Sequence, residues 1–303
     1  MRKLSALPPE MLLEILSRLP TESVLECKLV CKPWRILVYH PSFSQIHLSH
    51  LADHGKFTFL ILCYQLNEEK RQTFYNHEYN ENHHEKYKPL HRITRFNINP
   101  PFKRYTIIGS YNGLICLSAS YDRAPSVYQP AYICNPITKE YIILPEFNRV
   151  RYPTAYYNHG GFGYLCETNE YKVLRIVQLW GKSNPECVDV YTLGSSNGWR
   201  NVGELPSYVC NFINHGVFLS GTLYWITSTG KIVAFNMADE RFYELQTLPS
   251  HKSCSFGIRV LGGYLWCSAR NILTKMTYVW VLKKRGKKGN QNVMEHEEHV
   301  SWT

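Results

Sequence analysis

Apolar residues recur at helical spacing at the start of the chain and at strand spacing after it. Leu12, Ile15, Leu16 and Leu19 stand three and four apart, one stripe of a helix. Pro8 and Pro9 suit its first turn, where a missing N–H costs nothing. Glu10 favours the same end, and Pro20 stops the helix. A second helix follows at once. Leu25 and Leu29 lie on one side of it and Val24, Cys27 and Cys31 on another, and Ser23-Val24-Leu25-Glu26 reads as a capping box, with Thr21 as the alternative cap. Pro33 breaks this helix and opens a third, whose apolar face is Trp34, Leu37 and Val38 and which ends at His40-Pro41. Three helices in so short a segment bury too little surface to be secure alone. Their stripes must be covered by the rest of the chain or by a partner protein.

After about residue 55 the helical spacing disappears. Short strand-like runs bounded by Gly, Asn, Asp and Pro replace it: Phe57 to Tyr64, Tyr105 to Ile108, Gly113 to Leu117, Lys172 to Val177, Val188 to Leu193, Gly221 to Ile226, Lys231 to Asn236 and Tyr278 to Leu282. A loose repeat runs through them. Each unit has a glycine-led strand, a second strand ending at a turn, and an aromatic strand that closes in Leu-Pro, as at Leu144-Pro145, Leu205-Pro206 and Leu248-Pro249. Such a unit cannot bury both faces alone, and stacked radially it becomes a propeller blade. Blades take roughly 40–50 residues and propellers hold about four to eight, so residues 51–303 accommodate about five or six. A β-sandwich or two stacked sheets is the alternative packing. The last unit departs from the others. Tyr278 to Leu282 is followed by a charged run, Lys283 to His299, and Ser301-Trp302-Thr303 resembles the opening of a further strand. The spacing therefore predicts an incomplete last blade with a free strand edge.

Two sets of residues carry resemblances. Leu7-Pro8, Ile15-Leu16, Leu19-Pro20, Val30-Cys31-Lys32, Trp34-Arg35 and Pro41-Ser42-Phe43 fall in the order and spacing of an F-box. Pro33 stands where that family usually has a small polar residue, and it is tolerable at a helix start. Asn135-Pro136-Ile137-Thr138 and the Leu-Pro markers resemble the F-box-associated domain of plant F-box proteins, a distant kelch-like propeller. The implied fold class is α+β multidomain: a helical F-box over residues 1–50, then an all-β propeller-like domain over 51–303, with its C-terminal blade incomplete.

The resemblance implies a substrate receptor of a Skp–cullin–F-box ubiquitin ligase. The F-box would dock on a Skp adaptor hung from a cullin, and the β domain would recruit an unidentified protein substrate. Leu7, Pro8, Leu12, Ile15, Leu16, Leu25, Val30, Cys31 and Trp34 are then the candidate contact or supporting positions. Catalysis in such an assembly is proximity, so this chain would need no catalytic residue and no cofactor. The alternatives are a truncated pseudo-receptor that binds the adaptor only, a basic nucleic-acid-binding β protein, and an enzyme built on a propeller.

Composition changes this picture little. Apolar residues make up 44% of 303 and charged ones 19%, which permits a sizeable core and argues against wholesale disorder. Twenty-two tyrosines favour half-buried sheet surfaces. The net charge of +10 can steer acidic partners, but the basic residues are spread out apart from Lys283-Lys284-Arg285-Gly286-Lys287-Lys288, a nuclear-localisation-like patch or a solvated hairpin loop. Ten cysteines without a CxxC pair suit reduced thiols in a cytoplasmic or nuclear protein better than zinc or disulfides. No apolar run is long enough to span a bilayer. His77, His83, His84 and His91 cluster with Glu78, Glu81 and Glu85, but at irregular spacing in a polar stretch, which reads as a solvated loop of the first blade rather than a metal site. No phosphate loop or nucleophile elbow is present in the sequence.

Overall fold

The computed structural model describes residues 7–53, 57–64, 72–79, 90–96, 98, 105–119, 131–145, 155–179, 187–206, 212–249, 254–283 and 293–297. The chain divides into two compact units, residues 1–103 with 134–141, and residues 104–133 with 142–303.

The first unit opens with four helices, α1 (Pro9–Ser17), α2 (Thr21–Cys27), α3 (Lys32–Tyr39) and α4 (Pro41–Asp53), one more than the pattern predicts. Pro41 does end α3, but it also opens α4, because proline at a first helical position loses no hydrogen bond. The His40 ring takes part in that turn, with Nδ1 accepting from the Ser42 N–H at 3.3 Å. The expected capping box does not form. Thr21 and Ser23 both lie inside α2, whose N-cap is Pro20, without a side-chain cap bond. Leu16, Val24 and Phe43 are buried together, with Leu13, Leu19, Cys27, Trp34, Leu37 and Val38 packed around them. Helix α4 thus supplies the cover that three helices lacked, and His47 Nε2 meets the Leu19 carbonyl at 2.9 Å.

Three strands follow, β1 (Phe57–Tyr64), β2 (Gln72–Tyr79) and β3 (Leu90–Phe96), in one antiparallel sheet of order β1-β2-β3. The solvated-loop reading is corrected here. His77 and Glu78 lie in β2, and His91 in β3, where His77 pairs with Ile93. Polar composition hid the strands, although sheet pairing satisfies the backbone whatever the side chains are. Glu81, His83, His84 and Glu85 lie outside the described residues.

Four four-stranded meanders make up the rest: β4–β7 (Tyr105–Tyr111, Leu114–Ala119, Ala131–Cys134, Tyr141–Ile143), β8–β11 (Ala155–Leu165, Glu170–Leu179, Cys187–Thr192, Trp199–Glu204), β12–β15 (Val217–Leu219, Thr222–Ile226, Lys231–Asn236, Arg241–Thr247) and β16–β19 (Cys254–Leu261, Tyr264–Asn271, Thr277–Lys283, Val293–Glu297). Within the second unit, successive sheets stack face to face as blades. The two-residue period of a strand sends alternate side chains to opposite neighbours. Leu223, Trp225, Val233 and Phe235 pack towards Leu174, Ile176, Val188 and Val190 of the preceding sheet. Their neighbours Tyr224, Ile226, Ile232 and Ala234 pack towards Ile258, Leu265, Cys267 and Trp280 of the following one. A third cluster joins Ile108, Cys116 and Ile133 to Phe162, Val173 and Tyr191. This one-in, one-out burial on both faces is what a stack of blades needs and a two-layer sandwich does not supply. The first strands meet closely. A Cβ on Gly163 would come within 2.2 Å of the Phe218 ring, so any side chain there would have to displace that ring. The Leu-Pro markers are blade plugs, with Leu144, Leu205 and Leu248 all buried.

The incomplete last blade is also corrected. Val293–Glu297, inside the expected polar insertion, pairs along β18 with Leu282 opposite Met294 and Trp280 opposite His296, so the last sheet has four strands. Five residues of extended chain suffice for an edge strand. The sheet with three strands is the first, β1–β3. Residues 284–288 of the basic run lie outside the described residues.

A basic, apolar face on the helices

The nine candidate contact positions separate by burial. Leu12 and Leu16 are buried in the helical core, Leu16 at 1% exposure. Trp34 leans on the same core from α3. Leu7, Leu25 and Cys31 are half-buried, and Pro8, Ile15 and Val30 are exposed. Leu12 and Leu16 therefore hold the helices together, and a charge at Leu16 would test folding rather than contact. Leu16→Ala should lower helical-domain stability by about 2–5 kcal/mol, whereas Leu29→Ser, on the surface, should change it by less than about 0.5 kcal/mol. Urea unfolding followed by helical circular dichroism reads both.

What the sequence reading missed is a surface where α2 runs into α3. Leu29 is 87% exposed, and Val30, Ile36 and Tyr39 are each exposed by more than half. Lys28, Leu29, Cys31, Lys32, Arg35, Ile36, Tyr39 and His40 line a groove of about 840 Å³. Leu29, Ile36 and Tyr39 supply its apolar part, and Lys28, Lys32 and Arg35 supply positive charge. The Lys28 ammonium lies 4.5 Å from the centre of the Tyr39 ring, which keeps the aromatic in place. Isolated exposed hydrophobics need no explanation, but several in one groove mark a contact surface. A signal for it existed. Ile36 and Tyr39 lie off the Trp34, Leu37 and Val38 stripe of α3, and a large apolar residue off the stripe of a short helix points outward, whereas Leu29 shares a side of its helix with Leu25 and gives no such signal.

The described residues hold no group of three His, Cys, Asp or Glu placed to bind a metal. Their cysteines are free thiols, and burial pushes Cys134 and Cys267 up to about 12, which keeps both protonated and unreactive. Among these residues no helix is long and apolar enough to cross a membrane.

Comparison with known proteins places these two regions. The family described as F-box-like matches residues 4–48, and the family described as F-box associated beta propeller domain matches residues 58–297. Among similar Arabidopsis thaliana proteins, F-box protein At1g52495 is 24% identical over 95% of this chain and 68% of its own length. Putative F-box protein At1g60370 is 27% identical over 75% of each, and F-box/kelch-repeat protein At3g23880 is 26% identical over 92% of this chain and 76% of its own. For F-box protein At3g07870, at 28% identity, 60% of the relative's length is covered.

Proposed function

Because this chain belongs to the F-box proteins that carry an F-box-associated β-propeller, we propose that it is a non-catalytic substrate receptor of a Skp–cullin–F-box ubiquitin ligase. The α2–α3 groove carries this reading. It combines exposed Leu29, Ile36 and Tyr39 with Lys28, Lys32 and Arg35, and suits a helical partner with apolar side chains between carboxylates. Pro8, Ile15, Val30 and Cys31 extend the contact, and Leu12, Leu16 and Trp34 support it from within. The blades would then hold a protein substrate near the ubiquitin-loaded enzyme, and local concentration does the rest.

The test is binding of a purified Skp adaptor to the full chain by calorimetry. Leu29→Glu with Ile36→Glu should weaken binding about thirtyfold or more, the scale of a lost hot spot of roughly 2 kcal/mol, without lowering the unfolding midpoint. Raising the salt should slow association by screening the basic rim. Undiminished binding by the folded double variant would remove the groove from the interface, and no binding by the wild-type chain would remove the receptor reading itself.

A further inference from the structure

Three turns in the β region are built alike. Asn236 and Asn271 end β14 and β17, and Asn135 directly follows the last residue of β6. In each, the Asn Oδ1 accepts two backbone N–H groups: from Ile137 and Thr138 at 3.0 and 3.2 Å, from Ala238 and Asp239 at 2.8 and 3.1 Å, and from Leu273 and Thr274 at 2.9 and 3.0 Å. The residue four on has positive φ in all three, at Lys139 (62°), Glu240 (55°) and Lys275 (63°), and returns its N–H to the Asn carbonyl. The geometry thus asks only for the asparagine and for a residue that tolerates positive φ.

The first two turns keep their apolar residues covered: Met237 is buried and Ile137 half-buried. The third turns them outward. Leu273 is 79% exposed, and Ile272 and Met276 are exposed beside it. Nothing in the turn requires leucine or isoleucine at these places. Their side chains stand on backbone already fixed by these three hydrogen bonds and by one from the Asn271 N–H to the Met276 carbonyl at 2.8 Å, so little order would be lost on insertion into a partner. The tip is also basic. Lys275 lies within it and Arg270 just before it, both exposed, with no ion pair to either among the described residues. A second copy of this chain would bring like charges together, so self-association through the tip is disfavoured.

We propose that the Asn271–Met276 hairpin is a substrate-docking knob, which inserts Leu273, flanked by Ile272 and Met276, into an apolar cleft bordered by carboxylates on a partner protein. This rests on the receptor reading and names the surface and partner chemistry that reading leaves open.

The test places a photo-crosslinking amino acid at position 273 of the full chain, with position 138 of the equivalent turn as control, in cells with the adaptor present. Position 273 should give a discrete protein adduct that position 138 does not. That protein, identified and purified, should bind the wild-type chain and lose affinity at least tenfold with Ile272→Ser plus Leu273→Asn, and severalfold with Lys275→Gln or on raising the salt. Both variants should melt with the wild type and capture the adaptor normally. Failure of adaptor capture by the wild-type chain would sink the receptor reading. Normal capture with no tip-specific adduct, or an affinity indifferent to both variants, would overturn the knob alone. Two controls also decide against it: tip-dependent sedimentation with phosphatidylserine vesicles would assign the hairpin to a membrane surface, and tip-dependent self-association in ultracentrifugation would assign it to a second copy.

Discussion

Asp189→Ala should destabilise the β region by about 3–5 kcal/mol, the usual cost of leaving one member of a buried ion pair without the other. Asp189 stands directly across the strand pair β9–β10 from Arg175, and both are under a tenth exposed. Its Oδ2 accepts from Arg175 Nε and Nη2 at 3.2 and 3.1 Å, and its Oδ1 from Asn201 Nδ2 at 3.1 Å. The guanidinium also lies 3.8 Å from the centre of the Trp199 ring, whose Nε1 donates to the Pro145 carbonyl at 2.7 Å. Removing the carboxylate takes the opposite charge from the buried guanidinium and leaves the Asn201 amide only its bond to the Val188 carbonyl at 3.3 Å. Against a typical total of about 5–15 kcal/mol, such a loss is large. Urea unfolding should show a lower midpoint with little change in slope. The double replacement Arg175→Met, Asp189→Leu should recover most of the loss, since an apolar pair of similar volume carries no desolvation cost. A single variant as stable as the wild type would mean that water reaches the pair.

Acid should loosen the stack of blades between about pH 6.5 and pH 4. Burial pushes His159 and His215 down to about 4 from an ordinary value near 6.5, against a backbone hydrogen bond with Asn214 that raises His159, and His159 further disfavours the charge of His215. His215 Nδ1 accepts from the Gly160 N–H at 3.1 Å, and Gly216 donates to the Gly160 carbonyl at 2.7 Å, so this contact ties the segment before β12 to β8. His159 lies edge-on to Phe212 at 5.6 Å. In that pH window the unfolded chain binds protons that the folded chain excludes, so stability falls as pH falls. It is fully present above about 6.5. Each histidine can contribute on the order of 3 kcal/mol to the loss by pH 4, at roughly 1.4 kcal/mol per unit. Protonation of His215 would also break its bond from Gly160. Glu240, held below its ordinary range by Arg200 and Lys172 despite burial, loses its contribution only below about 4.5 and so adds at the acid end. Melting temperatures from pH 7 to 4 should show the slope, and His159→Phe, apolar beside Phe212, should reduce it markedly. A flat profile for the wild type would show the two rings to be solvated.

The sequence by itself determined the order of events along the chain. Helical stripes ended by prolines come first. Strands with alternating burial and Leu-Pro closures follow, and the F-box order lies in the former. These are local signals, since period, proline and turn chemistry act within a few residues. Even so, β2 and β3 are not legible in it, because most of their residues are polar and sheet pairing is a property of the backbone. Val293–Glu297 has the composition of an insertion for the same reason. Tertiary structure alone decided which apolar residues face inward. Leu16 and Leu29 look alike in sequence, yet Phe43 of α4 covers the first and nothing among the described residues covers the second. It also decided that Arg175 and Asp189, fourteen residues apart, stand opposite each other, and that His159 lies near His215. The same holds for the three Asn turns. Their residues are written in the sequence, but that two cover their apolar side chains and the third presents Ile272, Leu273 and Met276 depends on packing against neighbouring strands, which no local pattern encodes.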